Sequence, residues 1–453
     1  MTKSFKTLWE RFLFRDRGIL PTQRLLLAFA LFSLALFILS LGGTLSWSIV
    51  IVSNVLILGM SFIDLLWLPK KKELTFQRDI GDEIERGEKV NVQVMIENHS
   101  PHIMKYRIMD ALPCSFDRPF PVVGEVAGES NAVASYQTYA PFRGDYSIPK
   151  LYVRYRSKLG LWERQVSPDI QDRVRVIPDL SEARHVINNA QQFLLYEGSQ
   201  VKKRQIGSGE FAQIRSYVVG DDLRKINWRQ SAKLQELMTN EYEPEHGKYI
   251  SIVVDCGRMM GVELEDRNRL ERALEAALTV AAAALQKGDY VSFLAFSKNV
   301  KAYVPSNKGM PHLKKIISEV YNIQVDPYES NYGNVLQYLE TVQKKRSFIL
   351  LFSDVSTFLY EEAPLFYLQR LRRKHVFLML GIEDHMTEAW TKVEPEDSKK
   401  AMIKSMAQKQ VMEKKRELAK WEKQGLQMIE TPEENLATSA VSRYMDLMNR
   451  GLL

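Results

Sequence analysis

The sequence predicts a multidomain membrane protein: a two-helix transmembrane hairpin, a small antiparallel β-sandwich, then an α/β doubly wound domain. Three observations carry that prediction. Between Leu25 and Pro69 the only charged residue is Asp64. From Leu74 to about Pro178 apolar and polar residues alternate with period two. From Tyr249 onward, near-continuous apolar runs are separated by helical segments. At 453 residues the chain suits two or three domains. With 45% hydrophobic and 26% charged residues it is composed like folded protein rather than a disordered chain. Five segments follow: a basic N-terminus (1–22), the hairpin (23–69), the β domain (70–178), a linker with a charged signature (179–248), and the α/β domain with C-terminal helices (249–453).

One helix needs about 20 apolar residues to cross a bilayer. Residues 23–69 therefore hold two, broken at "LGGTLS" (Leu41 to Ser46). Trp47 and Trp67 lie about 30 Å apart at 1.5 Å rise per residue, and mark the two interfaces. Asp64 is expected to reach the headgroups beside Lys70. Lys3, Lys6, Arg11, Arg15, Arg17 and Arg24 precede the first helix, and Lys70, Lys71 and Lys72 follow the second. The intervening turn has no basic residue, so both ends are expected on the cytoplasmic side, with the bulk of the chain in the cytosol. A cleaved signal peptide does not fit, because the apolar region is too long, doubled, and lacks an A-x-A site. Two cysteines, Cys114 and Cys256, far apart in sequence, fit a reducing compartment.

In the β domain, Val90, Val92, Val94 and Ile96 alternate with Asn91, Gln93 and Glu97. Leu151, Val153 and Tyr155 alternate with Arg154 and Arg156, and Val174 and Val176 repeat the pattern. Turn signals between the runs give half-buried antiparallel strands. His99 and His102 have no further ligands nearby and read as a solvated turn. The net charge of +7 comes without basic runs interleaved with aromatics, so nucleic acid is not an expected partner.

The signature "GSGEFAQIRSYVVGDDLRKINWRQSAK" starts at Gly207. Its glycines lack phosphate-loop spacing. Gly220 reads as a turn and Asp221 or Asp222 as the N-cap of a short helix. Glu210, Arg215, Asp221, Asp222, Arg224, Arg229 and Lys233 set opposite charges close together. They form either an ion-pair and capping network, with Trp228 anchoring the helix on a core, or a partner-docking surface with bidentate donors.

The runs "ISIVVD", "YVSFLAFS", "SFILLFSD" and "HVFLMLGI", with a weaker "LQMIET", read as parallel strands buried on both faces. In "RNRLERALEAALTVAAAALQKGD" Leu270, Leu274 and Leu278 share one face, and Gly288 stops the helix. Asp397 to Gln424 is a basic helix, read as a solvated face with anionic lipid as the alternative. A closing amphipathic helix ends at Gly451. No nucleophile elbow, H-E-x-x-H, Walker loop or paired His/Cys set is present.

The hairpin, "RGDY…LGLWER…VIP", the signature and "VVDCGRMM" together resemble the bacterial domain-of-unknown-function family number 58, over essentially the whole chain. The last domain resembles a von Willebrand factor A-like domain. The resemblance implies a MoxR-type AAA+ ATPase as partner and a role in assembly or maturation of other proteins. It also implies a divalent-cation site at the carboxyl end of the sheet, built from D-x-S-x-S, a loop threonine and a later aspartate. Asp255 takes the first aspartate's place, Asp354 the late one, and Ser330 the threonine's. Gly257 and Met259 stand where the hydroxyls belong, and neither offers an oxygen. Weak Mg²⁺ binding by Asp255, Asp354 and water stays open beside a capping role for Asp255. Arg258 is the group expected to neutralise the two carboxylates. The main expectation is a non-enzymatic interaction module with no obligate cofactor. The alternatives are a Mg-dependent hydrolase using Asp255 and Asp354, and a purely structural envelope protein.

Overall fold

The structure, a computed structural model, describes residues 18–43, 46–188, 209–218, 220–244, 247–264, 267–359 and 363–449. The basic residues from Lys3 to Arg17, Thr44 and Leu45 of the predicted break, the linker from 189 to 208 and the chain end at Gly451 lie outside them. Two units separate, Met1–Ile177 and Pro178–Leu453.

In the first unit, a short strand β1 (Ile19–Pro21) precedes helix α1 (Gln23–Leu41). Thr22 is the N-cap, accepting from the Leu25 amide. Helix α2 (Trp47–Ser61) runs past Phe62 into one further turn, α3 (Ile63–Leu66). Both stretches are long and apolar enough to cross a membrane. Leu31, Ile51 and Val55 are exposed, as lipid-facing residues would be. Ser33 donates to Asn54 Oδ1 at 2.5 Å, and Phe37 meets Trp47 edge to face, so α1 and α2 touch.

The β part comprises β2 (Leu74–Asp79), β3 (Glu83–Glu85), β4 (Val90–Asn98), β5 (Met104–Asp110), β6 (Val122–Val126), β7 (Ser130–Thr138), β8 (Gly144–Ile148), β9 (Leu151–Arg156), β10 (Trp162–Val166) and β11 (Asp172–Ile177). They form three sheets, β1-β10-β9-β5-β6, β2-β4-β7 and β3-β11-β8. The alternation places Val92, Val94, Ile96, Val153 and Val174 in one shared core. Two features depart from the expected all-antiparallel domain. β11 pairs with β3 in parallel, and β1, from before the apolar helices, adds an edge strand on β10. At the centre, buried Arg78 donates to Asp110 (2.5 Å), Asp172 (2.6 Å) and the carbonyls of Ile148 and Ile170, while Tyr136 donates to Asp110. The ion pair is buried because each of its charges is hydrogen-bonded.

Asp64 does not reach outward as expected. It is 1% exposed. Its carboxylate accepts from Ser157 Oγ and from the Leu161 and Trp162 amides at 2.9 and 3.0 Å. Leu68 enters the β core and Leu65 packs against it.

The second unit opens with a helix over 181–188 and an antiparallel ribbon of β12 (Gly209–Ser216) and β13 (Met238–Pro244), with short helix α4 (Trp228–Leu234) between them. Next come β14 (Tyr249–Asp255), α5 (Arg269–Gln286), β15 (Tyr290–Phe296), β16 (Val300–Asn307), α6 (Met310–Val320), α7 (Tyr332–Val342), β17 (Ser347–Phe352), α8 (Val355–Leu359), α9 (Ala363–Arg372), β18 (Val376–Ile382), α10 (His385–Lys392), α11 (Ser398–Lys423), β19 (Gln427–Thr431) and α12 (Leu436–Asn449).

The sheet order is β16-β15-β14-β17-β18-β19, all parallel except β16, which runs antiparallel at the edge. From β14 the chain winds outward through β15 to β16, then returns to β14's other side at β17. The carboxyl ends of β14 and β17 therefore flank the switch in strand order, where open α/β sheets bind ligands. α5 is buried all round, alanines included, because α12 packs on it; Tyr444 of α12 donates to Asp289 at 2.6 Å. Gly288, at φ +87°, ends it as expected.

Candidate functional site

Asp255, the last residue of β14, is 1% exposed and accepts four hydrogen bonds. Its Oδ1 takes the Gly257 amide at 2.8 Å and the Ser330 hydroxyl. Its Oδ2 takes the Ser353 hydroxyl at 2.5 Å and the Tyr332 hydroxyl at 3.1 Å. Tyr332 and Ser353 also bond to each other at 2.8 Å. A carboxylate has about four lone-pair sites, so this one is filled from within the fold. Burial pushes its carboxyl above the ordinary range, against these four donors, which favour the ionised form. Burial, and next the Asp255 charge, push the Tyr332 phenol well up, so it stays a donor.

Gly257 has a steric reason. A Cβ there would lie 2.0 Å from Ser330 Oγ and 3.2 Å from Asp255 Oδ1. The serine that a cation site would place at this position cannot coexist with Ser330 where it stands. Met259 is half-buried on the following turn.

Asp354 follows β17. Its Oδ1 pairs with Arg269 Nη1 at 2.6 Å, and its Oδ2 accepts from the Thr357 amide and hydroxyl at 2.8 and 2.7 Å. Asp354 thus caps α8 and carries a buried guanidinium. The expected neutraliser, Arg258, is not that group. It is exposed and pairs with Glu329 at 2.9 Å, because its amide is held by the Tyr328 carbonyl on an outward-facing turn. Arg269, at the start of α5, has the role instead.

These residues do not fit a divalent cation as they stand. Asp255 has its acceptor sites filled, Asp354 faces a guanidinium, and positions 257 and 259 bring no side-chain oxygen. The cavity beside Arg269, Asp354, Gly381 and Leu436 is about 10 Å³, room for one water. A separate open groove of about 720 Å³ crosses the rim, lined by Arg258, Lys298, Tyr328, Glu329, Ser330 and Asn331. Lys298 sits 5.4 Å over the Tyr328 ring.

In the signature ribbon, Arg215 clasps Asp221 with two bonds of 2.8 Å, and Asp221 also accepts from the Val218 amide. Asp222 caps the next turn at Arg224 N, and Gly220 has φ +113°. That is the ion-pair and capping network. Trp228 does not anchor it: the residue is 69% exposed. Val218, Leu223, Leu234 and Leu237 are exposed with it, as are Arg224 and Lys233. Glu210 lies on β12, paired with Glu243, its side chain outside the described set. Among the described residues, one further group could hold a metal by composition, Glu383, His385 and Glu388 beyond β18. Lys392 already pairs with Glu388 there at 2.9 Å.

The chain is thus a two-unit protein, with paired apolar helices and a β part in one unit and a doubly wound sheet with an internally bonded switch point in the other. Residues 213–419, the ribbon and most of the α/β sheet, match the family model described as "Protein of unknown function DUF58". "Uncharacterized protein YeaD" of Bacillus subtilis (strain 168) is 23% identical over 300 residues, covering 64% of this chain and 71% of that protein. Among solved structures, the conserved hypothetical protein BatB from Bacteroides thetaiotaomicron is 12% identical with a TM-score of 0.30, covering 45% of this chain and all of that one. A PapD-like domain of human CEP192 is 15% identical with a TM-score of 0.18, covering 23% of this chain and 85% of that one.

Proposed function

We propose that this chain is a membrane-anchored, non-enzymatic interaction module of a bacterial cytoplasmic membrane, its hairpin at 23–69 holding both larger units in the cytosol. Its α/β unit is a von Willebrand factor A-like domain that docks a MoxR-type AAA+ ATPase or that ATPase's client. The observation that carries this reading is the saturation of Asp255 and Asp354 by protein donors. Carboxylates so occupied are poor ligands and poor bases, and they make a rigid rim. A Mg-dependent hydrolase would have to displace Arg269 and four donors before it could act. The signature segment exposes Leu223, Trp228, Leu234 and Leu237 together with Arg224 and Lys233, residue types that supply anchors to interfaces.

The test is affinity capture from detergent extracts with ATP, ADP or no nucleotide, comparing wild type with Trp228→Ala. Exposure of Trp228 predicts a stability change within about 0.5 kcal/mol. The wild type is expected to retain an AAA+ ATPase that Trp228→Ala loses. Recovery of no such ATPase under any nucleotide condition refutes the reading.

A further inference from the structure

The tip of the β9–β10 hairpin, residues 157–161, grips the ends of both apolar stretches. Thr22, the N-cap of α1, donates its hydroxyl to Gly160 O and Leu161 O at 2.7 and 3.0 Å, and its amide to Leu161 O. Asp64, beyond α2, accepts from Ser157, Leu161 and Trp162. Trp162 Nε1 donates to Ser61 Oγ, and its ring stacks on Phe62 at 5.0 Å. Gly160, at φ +67°, makes the tight turn that presents adjacent amides, and its own amide is taken by Ser157 Oγ.

Depth gives these contacts a consequence. Asp64 lies three residues before Trp67, about 4.5 Å deeper along a helix. A tryptophan at the end of a span sits at the interface, so Asp64 lies on its hydrocarbon side. A carboxylate at that depth needs partners, and all three of the donors described here come from residues 157–162. Irregular backbone is tolerated at membrane depth only where its polar groups are met by protein. Here the Gly160, Leu161 and Trp162 amides and the Gly160 and Leu161 carbonyls are met. Leu159 at the apex is 52% exposed, Lys158 beside it is exposed, and Ile63 and Leu66 of the adjoining turn are exposed as well. A leucine beside a lysine whose stem can snorkel suits the boundary between acyl chains and headgroups.

We infer that the 157–161 tip is immersed at the headgroup–acyl boundary, a third lipid-contacting element that fixes the β part to the membrane surface. This rests on the reading of α1 and α2 as spans, and the test separates the two. Full-length protein carrying Cys114→Ser, which removes the exposed native thiol, is reconstituted in phosphatidylcholine–phosphatidylglycerol vesicles. Met60→Cys, Leu159→Cys and Met109→Cys are labelled in turn with an NBD fluorophore. Lipids brominated near the top of the acyl chain serve as quenchers. Met60, one turn deeper than Asp64, reports the span. Met109 lies beside Tyr152, five residues along β9 from Ser157 and about 16 Å away. Quenching of Leu159→Cys within about twofold of Met60→Cys, with Met109→Cys unquenched, is the expected result. Quenching at Met60 without quenching at Leu159 overturns the inference and leaves the spans standing. No quenching at either position overturns both.

Discussion

Replacing Arg269 by methionine tests the buried pair directly. Arg269 Nη1 lies 2.6 Å from Asp354 Oδ1, and the side chains are 9% and 4% exposed. Methionine keeps much of the stem and removes the charge. Asp354 is left buried with the two Thr357 bonds alone. Removing one partner of a buried pair costs roughly 3–5 kcal/mol. Because Thr357 still bonds the orphaned carboxylate, a loss near 3 kcal/mol is expected, at the low end of that range. Removing both charges, in Arg269→Met with Asp354→Leu, should cost less than the two single changes added, with a coupling of about 2 kcal/mol. Hydrogen exchange of the β14 and β17 amides in the full chain reads this locally, which suits a protein whose units need not unfold together. At 1.4 kcal/mol per tenfold, Arg269→Met should speed exchange there about 100-fold. If the single effects add within about 0.5 kcal/mol to give the double, the pair does not act as described.

Two further outcomes are expected. Asp64→Leu leaves the Leu161 and Trp162 amides without an acceptor, so exchange across 157–162 should rise by at least tenfold, while Asp64→Asn keeps an acceptor and loses less; equal effects of the two would refute the holding role of the Asp64 carboxylate. His375 is buried against Ser347, and burial, helped by Lys374 and Arg346, holds its pKa down to about 4. Its folded value lies below its unfolded value near 6.5, so its stabilising effect is complete above pH 6.5 and is lost as pH falls toward 4. Acidification through that window should cost up to about 3 kcal/mol at β17 and β18, and His375→Gln should flatten the slope; an unchanged slope rejects the assignment.

The strands of both units were legible wherever period two or continuous apolar runs held. β16 escaped because its "VKAYVPSN" mixes Lys, Pro and half-buried residues, as an edge strand does. β1 escaped because three residues ending in proline carry no period. At the site, Asp255 and Asp354 could be picked out, since an acid at the end of a buried strand stands out locally, whereas Ser330, on a loop, was reached only through the family resemblance. Their partners could not. Tyr332, Ser353 and Arg269 lie 77, 98 and 85 residues from the aspartates they serve, and only the strand order brings them together. Arg258 was the nearest arginine along the chain, yet the turn after Gly257 points it outward. Trp228 misled because an aromatic in a short helix looks the same whether it faces a core or a partner. Asp64 misled for the opposite reason: its donors belong to a tight turn almost a hundred residues away.

The central claim is that protein donors fill the acceptor sites of Asp255 and pair Asp354 at the switch point of the sheet, leaving no place for a divalent cation. Calorimetric titration of Mg²⁺ into the full-length protein tests it most directly. Filled acceptor sites on Asp255 and the Arg269 pair on Asp354 predict no saturable heat up to about 1 mM, where weak oxygen sites of this kind begin to fill. A saturable site below that concentration, abolished by Asp354→Ala, would contradict it.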